Sequence, residues 1–243
     1  MIDVYFAPTP NCWKVTIMLE ECALPYRIVP VNLAQGDNYA PAFLRIAPNN
    51  RVPAIVDHAP GNGAAPLALF ESGAILIHLA EKTGRFIPQD QAGRMATLQW
   101  LMWQMAGLGP MLGQHGHFLF YSAEQVPYAL ERYRREAQRL YAVLDAQLAR
   151  TGAWVAGPDY SIADMACFPW VMTHKAQRFT LDDWPHVQAW FARLRAREAL
   201  QRGLRAGADL FDPAAPIDPA VRNRLFGLGS PEDCGESSDE NRA

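Results

Sequence analysis

Every segment of this chain that reads as a β-strand lies in its first third. Val4-Tyr5-Phe6 is one short apolar run and Tyr26 to Val31 a second. Ala54-Ile55-Val56 and Leu67-Ala68-Leu69-Phe70 are a third and a fourth. Between the first two, Val15, Met18, Leu19 and Cys22 recur at helical spacing and predict a helix with one buried face. The last two flank Ala59-Pro60-Gly61-Asn62-Gly63, a run of turn formers, so they are expected to pair as a hairpin. Ser72 then offers a cap to a helix that stops near Gly84. The order is β-α-β followed by β-β-α, an α/β domain over residues 1–84.

After about residue 92 the strand signals vanish. Residues 85–92 read as a linker and 93–212 as an all-helical domain. Arg94 to Leu108 is a helix rich in Met and Trp, and Gly107-Leu108-Gly109-Pro110 is expected to bend or end it. A long helix is expected from Pro127, a residue tolerated at a first helical position. Leu130, Tyr133, Ala137, Leu140, Tyr141, Leu144 and Leu148 form its apolar stripe, with Arg132, Arg135 and Arg139 beside it. Ser161-Ile162-Ala163-Asp164 is a capping signal. Trp184-Pro185 opens one more helix with Val187, Trp190, Phe191 and Leu194 inward. Residues 213–243, rich in Pro, Gly, Ser and acids, are expected to be irregular and then disordered.

The net charge of -3 argues against nucleic acid as a partner, and the tail alone carries -4, so the rest of the chain is close to neutral. In that tail Glu232, Asp233, Glu236, Asp239 and Glu240 face a single Arg242. No run of about 18 apolar residues predicts a membrane span, and the first residues carry no secretory signal. Cys12, Cys22, Cys167 and Cys234 are far apart, with no CxxC and no Cys/His cluster, so no metal site is expected. The expected compartment is a reducing cytoplasm. His115 and His117 lack acid or Cys partners at ligand spacing.

Three short segments carry the chemistry. Thr9-Pro10-Asn11 sits where a strand turns into a helix, and a helix start presents free amides and partial positive charge. That suits a thiolate: a Thr hydroxyl and an Asn amide both donate to sulfur. Lowering a thiol from its ordinary pKa of about 8.5 by two units takes about 2.7 kcal/mol, within reach of one good donor plus the dipole. The plainer reading is that both residues only cap the helix. Arg51-Val52-Pro53 enters a strand with a proline, either a simple strand opener or a cis bond. A cis bond turns the Val52 backbone outward toward an extended, peptide-like ligand. At Glu71-Ser72-Gly73, exposed amides and Ser72 suit a carboxylate, and Glu71 suits an ammonium group.

Together Phe6-Ala7-Pro8-Thr9-Pro10-Asn11, Val52-Pro53, Glu71-Ser72-Gly73-Ala74-Ile75 and Ser161-Ile162-Ala163-Asp164 occur in the order of cytosolic glutathione transferases. The resemblance covers about residues 1–205. Leu98-Gln99-Trp100-Leu101 with Gly107 to Gln114 narrows it. That stretch resembles the bacterial Nu class, the glutathione-dependent disulfide-bond oxidoreductases, relatives of the yeast nitrogen-regulator prion protein.

The resemblance implies a thioredoxin-like N-terminal domain plus an all-α C-terminal domain, and a cytoplasmic homodimer. It implies that Thr9 and Asn11 face the glutathione sulfur as catalytic residues. Asn38 would touch glutathione where relatives often carry Gln. Val52 would pair with its cysteinyl backbone, Glu71 and Ser72 would hold its γ-glutamyl end, and Arg132 would reach the open side of the site. Glutathione is then the co-substrate, and the expected activity is reduction of disulfides by bound glutathione thiols. Conjugation of electrophiles, reduction of hydroperoxides and a non-catalytic regulatory role are the alternatives. Cys12 reads as a small packed residue. Tyr5 is a rival activator, less well placed than Thr9. Trp100, Trp103, Phe118, Phe120 and Tyr121 line a hydrophobic pocket or belong to the core; the pattern alone leaves both open.

Overall fold

Strand β1 (Ile2–Phe6) occupies an interior position in a four-stranded sheet, with Ile2, Val4 and Phe6 buried on one face and Asp3 and Tyr5 on the other. The strand order is β2-β1-β3-β4, with β2 Tyr26–Pro30, β3 Ala54–Asp57 and β4 Leu67–Phe70. The computed structural model describes residues 1–61, 63–122, 124–211 and 219–226 of the 243. β1 runs parallel to β2, Ile2 opposite Tyr26, which requires a crossover; helix α1 (Pro10–Glu21) supplies it. β3 is antiparallel to both β1 and β4, and β3–β4 is the expected hairpin, Ala54 opposite Phe70. Ile2, Val4 and Phe6 enter the main core, where α1 and α3 (Ser72–Thr83) lie. Tyr5 packs on the opposite side against Phe43 of the short helix α2 (Pro41–Leu44), beside a small cluster of Val31, Ala47 and Ala54.

The remaining helices form the second domain. α4 (Gln91–Trp103) does not end at the Gly-Pro segment: a wide π turn, Gln104–Leu108, carries it into α5 (Gly109–Gly116). Pro110 lacks an N–H and its ring clashes with the carbonyl four residues back, so the backbone widens here instead of stopping. A second π turn, His117–Tyr121, follows. α6 (Pro127–Thr151) starts at the expected proline and buries Ala137, Leu140, Tyr141, Leu144 and Leu148. α7 (Ile162–Val171) opens with the full capping box of Ser161 and Asp164 and is buried nearly throughout. Asp164 also accepts from the Val155 amide at 2.9 Å and the Trp190 indole at 2.9 Å. Burial pushes its carboxyl up to about 6 against these four donor contacts.

α8 (Pro185–Arg195) and α9 (Glu198–Arg205) complete the domain, and α9 packs back on α1. Gly203 permits this approach: a Cβ there would lie 2.6 Å from the Ile17 Cα. Thr16 donates to the Gly203 carbonyl at 2.8 Å, and Arg197 grips Glu21 through two bonds of 2.6 and 2.7 Å. The tail departs from expectation. Within the stretch read as irregular lies helix α10 (Pro219–Phe226), with Phe226 stacked on Tyr121 at 4.4 Å. Val221 and Leu225 stack one turn apart, a period too short to stand out among the surrounding Pro and Gly. Cys234 and the acidic residues after it lie outside the described residues.

Candidate active site

A cleft of about 550 Å³ opens between the two domains, a size typical of small-molecule sites. Thr9 and Asn11 reach it from the start of α1, Asn38 and Val52 from the loops beside the sheet, and Glu71 and Ser72 from the β4–α3 junction. The helical domain contributes Gln104, Met105, Pro110 and Trp170, among others. Six of the seven site residues expected from the sequence therefore share one cavity.

Thr9 lines the cleft and also caps the helix. It is the N-cap of α1, and its Oγ1 accepts from the Cys12 amide at 3.4 Å. A hydroxyl that accepts still has its own hydrogen to donate, so capping leaves a donor for the cleft. Asn11 is oriented from the other domain: the Trp170 indole N–H donates to Asn11 Oδ1 at 3.0 Å. An indole nitrogen cannot accept, so the amide oxygen must face Trp170, and the NH₂ is the end left for the cleft. Nothing local in the sequence pairs positions 11 and 170.

Ser72 is not the expected cap. It is the first residue of α3, and the cap position falls to Glu71, whose backbone sits at φ 69°, ψ 110° with no side-chain capping bond. A non-glycine residue held there is strained, a condition that concentrates at ligand sites. The Ser72 hydroxyl faces inward instead, 3.3 Å from Lys14 Nζ and 3.6 Å from Met105 Sδ. Lys14 is itself buried, and it donates to Gln104 Oε1 at 2.7 Å. Burial lowers its ammonium to about 7, against the opposing pull of Cys167, Glu71 and Cys12. The sequence reading passed over both residues, although each interrupts an apolar stripe: Lys14 lies one turn before Met18, and Gln104 falls between Leu101 and Leu108.

Two buried polar atoms in the cleft have no partner among the described residues, Asn38 Oδ1 and Gln104 Nε2. The other end of Asn38 donates to the Asn50 carbonyl at 3.0 Å. An unmatched buried donor or acceptor costs about 1–3 kcal/mol, so this pair marks where an amide-bearing ligand fits.

The sequence model "Glutathione S-transferase, N-terminal domain" matches residues 9–82, and "Glutathione S-transferase, C-terminal domain" matches 108–198. The chain belongs to the glutathione S-transferase family. It is 54% identical over 204 residues to the disulfide-bond oxidoreductase YfcG of Escherichia coli strain K12, covering 84% of this chain and 94% of that one. A glutathione transferase family member from Pseudomonas fluorescens Pf-5, solved with two glutathione bound, superposes with a TM-score of 0.78 at 46% identity, over 84% of this chain and 92% of that one. A glutathione transferase from Pseudomonas putida, with one glutathione disulfide per subunit, gives a TM-score of 0.78 at 42% identity, over 84% and 91%.

In this glutathione S-transferase Val52 precedes a cis Pro53, the second of the two arrangements considered for it, and lines the cleft. Arg132 is the exception among the expected residues. It is exposed on α6 in a separate shallow groove with Tyr128, Glu131, Arg135, Glu136 and Arg139, outside the cleft of its own chain. Tyr5 is also outside the cleft, turned toward Phe43. The aromatic set does not line the cleft: Trp100 and Trp103 pack edge-on at the main core, Phe118 stacks on Tyr133, and Phe120 and Tyr121 are exposed. Its apolar wall comes instead from residues including Leu33, Phe70, Met105, Trp170 and Leu225. His115 is buried, with Nδ1 3.1 Å from Gln177 Oε1. Among the described residues no group of three His, Cys, Asp or Glu side chains could hold a metal.

The three described cysteines, Cys12, Cys22 and Cys167, lie off the cleft. Cys12 is fully buried, and burial pushes its thiol up to about 12 despite the Thr9 and Ala7 hydrogen bonds. Cys167 is buried in α7 with its thiol likewise raised. Cys22 is half-buried rather than fully buried, and its thiol too is raised by burial. Among the described residues no thiol lines the cleft.

Proposed function

We propose that this protein reduces disulfides with two bound glutathione molecules and no thiol of its own. One glutathione lies with its sulfur at the Thr9 hydroxyl and the Asn11 amide, which hold it as thiolate. That thiolate attacks one sulfur of the substrate disulfide; the S–S bond breaks and the other substrate sulfur leaves as thiolate. A second glutathione thiolate attacks the glutathione sulfur of the mixed disulfide and releases the second substrate thiol. The products are glutathione disulfide and two thiols, and no electron is left over. Asn38 Oδ1 accepts from a glutathione amide, the Val52 backbone pairs with its cysteinyl unit, and Glu71 and Ser72 hold the γ-glutamyl end.

The observation that carries this reading is the Trp170–Asn11 bond, which aims an amide donor into a cleft that no thiol among the described residues lines. A homodimer belongs to it. Arg132 lies off its own cleft, with Arg135 and Arg139 beside it on an exposed face of α6, so in this reading it meets glutathione from the second subunit. Sedimentation at micromolar protein then gives about twice the 27.1 kDa chain mass. Among the described residues no helix is long and apolar enough to cross a membrane, and a cytoplasmic glutathione pool is the proposed source of thiol. The test is a chain in which all four cysteines are Ser, assayed against a model disulfide, a chloronitrobenzene and an organic hydroperoxide. Retained disulfide reductase activity, exceeding the other two, is the expected result. Loss of activity in a folded Cys12→Ser chain would move the nucleophile to the protein.

A further inference from the structure

Lys14 is a buried amine on the cleft floor that takes no part in the thiol exchange itself. Its side chain is 1% exposed, and no carboxylate pairs with it among the described residues. The titratable groups that face it are Glu71 from the β4–α3 junction, Cys12 from its own helix and Cys167 from α7. Both thiols are held protonated by burial, and Glu71 is exposed, so none supplies a buried counter-charge. A buried charge without a counter-ion is costly and is retained where an anion arrives to meet it. The ammonium has three hydrogens to place: one goes to Gln104 Oε1 at 2.7 Å and one to Ser72 Oγ at 3.3 Å, with Met105 Sδ at 3.4 Å.

The Ser72 contact gives the direction. When Lys14 donates to Ser72 Oγ, the serine keeps its own hydrogen to donate onward. Within its own surroundings that hydrogen finds only Met105 Sδ at 3.6 Å, a weak acceptor that a carboxylate displaces. We propose that Lys14 is a positioning residue for the γ-glutamyl carboxylate of glutathione, acting through Ser72, and that glutathione binding draws a proton from solvent onto Lys14. The inference rests on the glutathione reading above. With its ammonium lowered to about 7, Lys14 is mostly neutral in the free protein at slightly alkaline pH. An incoming carboxylate favours the charged form, so the amine takes up one proton as the anion enters. Affinity is then highest below pH 7 and falls as the pH rises, by up to about tenfold per unit.

The experiment measures S-methylglutathione binding to the full-length protein by calorimetry between pH 6 and 8, in buffers of different ionisation enthalpy. The methyl group removes the ligand thiol from the titration. A parallel arm uses the 4-aminobutyryl analogue, which lacks only the γ-glutamyl carboxylate. The wild-type protein should take up about half a proton or more per site at pH 8 with S-methylglutathione and none with the analogue. Lys14→Met should bind S-methylglutathione without proton uptake and with an affinity that no longer follows pH beyond the ligand's own titration. A merely structural lysine would weaken binding equally at every pH. Binding without uptake in the wild type, equal uptake with the analogue, or uptake that persists in Lys14→Met overturns the proposal. The two wild-type arms decide it even if the variant does not fold. Failure of S-methylglutathione to bind at any pH overturns the glutathione reading itself.

Discussion

Trp170→Phe tests how the second domain controls the first. Phenylalanine keeps an aromatic ring on the helix face that passes close to Gly113, but removes the N–H that holds Asn11 Oδ1 at 3.0 Å. A partly buried hydrogen bond of this kind contributes about 1 kcal/mol net. Without it the Asn11 amide turns over freely, and for part of the time its oxygen rather than its NH₂ faces the sulfur. The bound thiol should then titrate higher by roughly 0.7 unit, and turnover near neutral pH should fall about fivefold. The assay is the pH dependence of thiolate absorbance for glutathione bound to each protein, run beside steady-state reductase kinetics. Asn11→Ala removes the donor altogether and should cost about tenfold in turnover. The double variant carries the reasoning: with Asn11 gone, Trp170→Phe has nothing left to orient, so it should be no slower than Asn11→Ala alone. If the two losses multiply, Trp170 acts through packing, and the orienting role is refuted.

Two further outcomes follow from the framework. Gly203→Ala places a Cβ 2.6 Å from the Ile17 Cα, so α9 must retreat from α1; denaturant unfolding should show a loss of about 1–3 kcal/mol. Burial pushes the Asp57 carboxyl up, but Lys82 and His78 hydrogen bonds outweigh it and hold it below 3.8. Its contribution is therefore present above that pH and lost as the pH falls through the lower folded value. Asp57→Asn should destabilise the protein at pH 7, and the difference from wild type in acid unfolding should close as the pH falls through the lowered folded value.

The parts of the fold legible in the sequence are those set by local pattern. The four strands, the Pro127 start of α6 and the Ser161 capping box all depend on residues within one turn or one hairpin. That Thr9, Asn11 and Ser72 sit at helix starts was legible for the same reason, since a helix start announces itself locally. What escaped is what depends on approach between distant segments. Glu71 rather than Ser72 occupies the cap because the chain enters α3 through a left-handed residue, which a Glu-Ser pair does not signal. Trp170 reaches Asn11 across 159 positions. Lys14 and Gln104 are intermediate cases: a polar residue on an apolar stripe is a local signal, but only the tertiary fold shows that each meets the other.

The placement of the thiols explains why the chemistry falls to the ligand. Cys12 directly follows Asn11, yet one helical step separates them by about 100°. That step sends Cys12 to the face shared by Val15 and Leu19, both fully buried, while Asn11 stays on the cleft. A thiol pushed up to about 12 is almost wholly protonated at neutral pH, and protonated thiols neither attack disulfides nor leave them. On the proposed reading, the donors at Thr9 and Asn11 face the position that the glutathione sulfur fills, and the protein behaves as a mould for two glutathione molecules. Substrate selection then falls to the apolar wall of the cleft, to which Phe70 of β4 and Leu225 of α10 contribute.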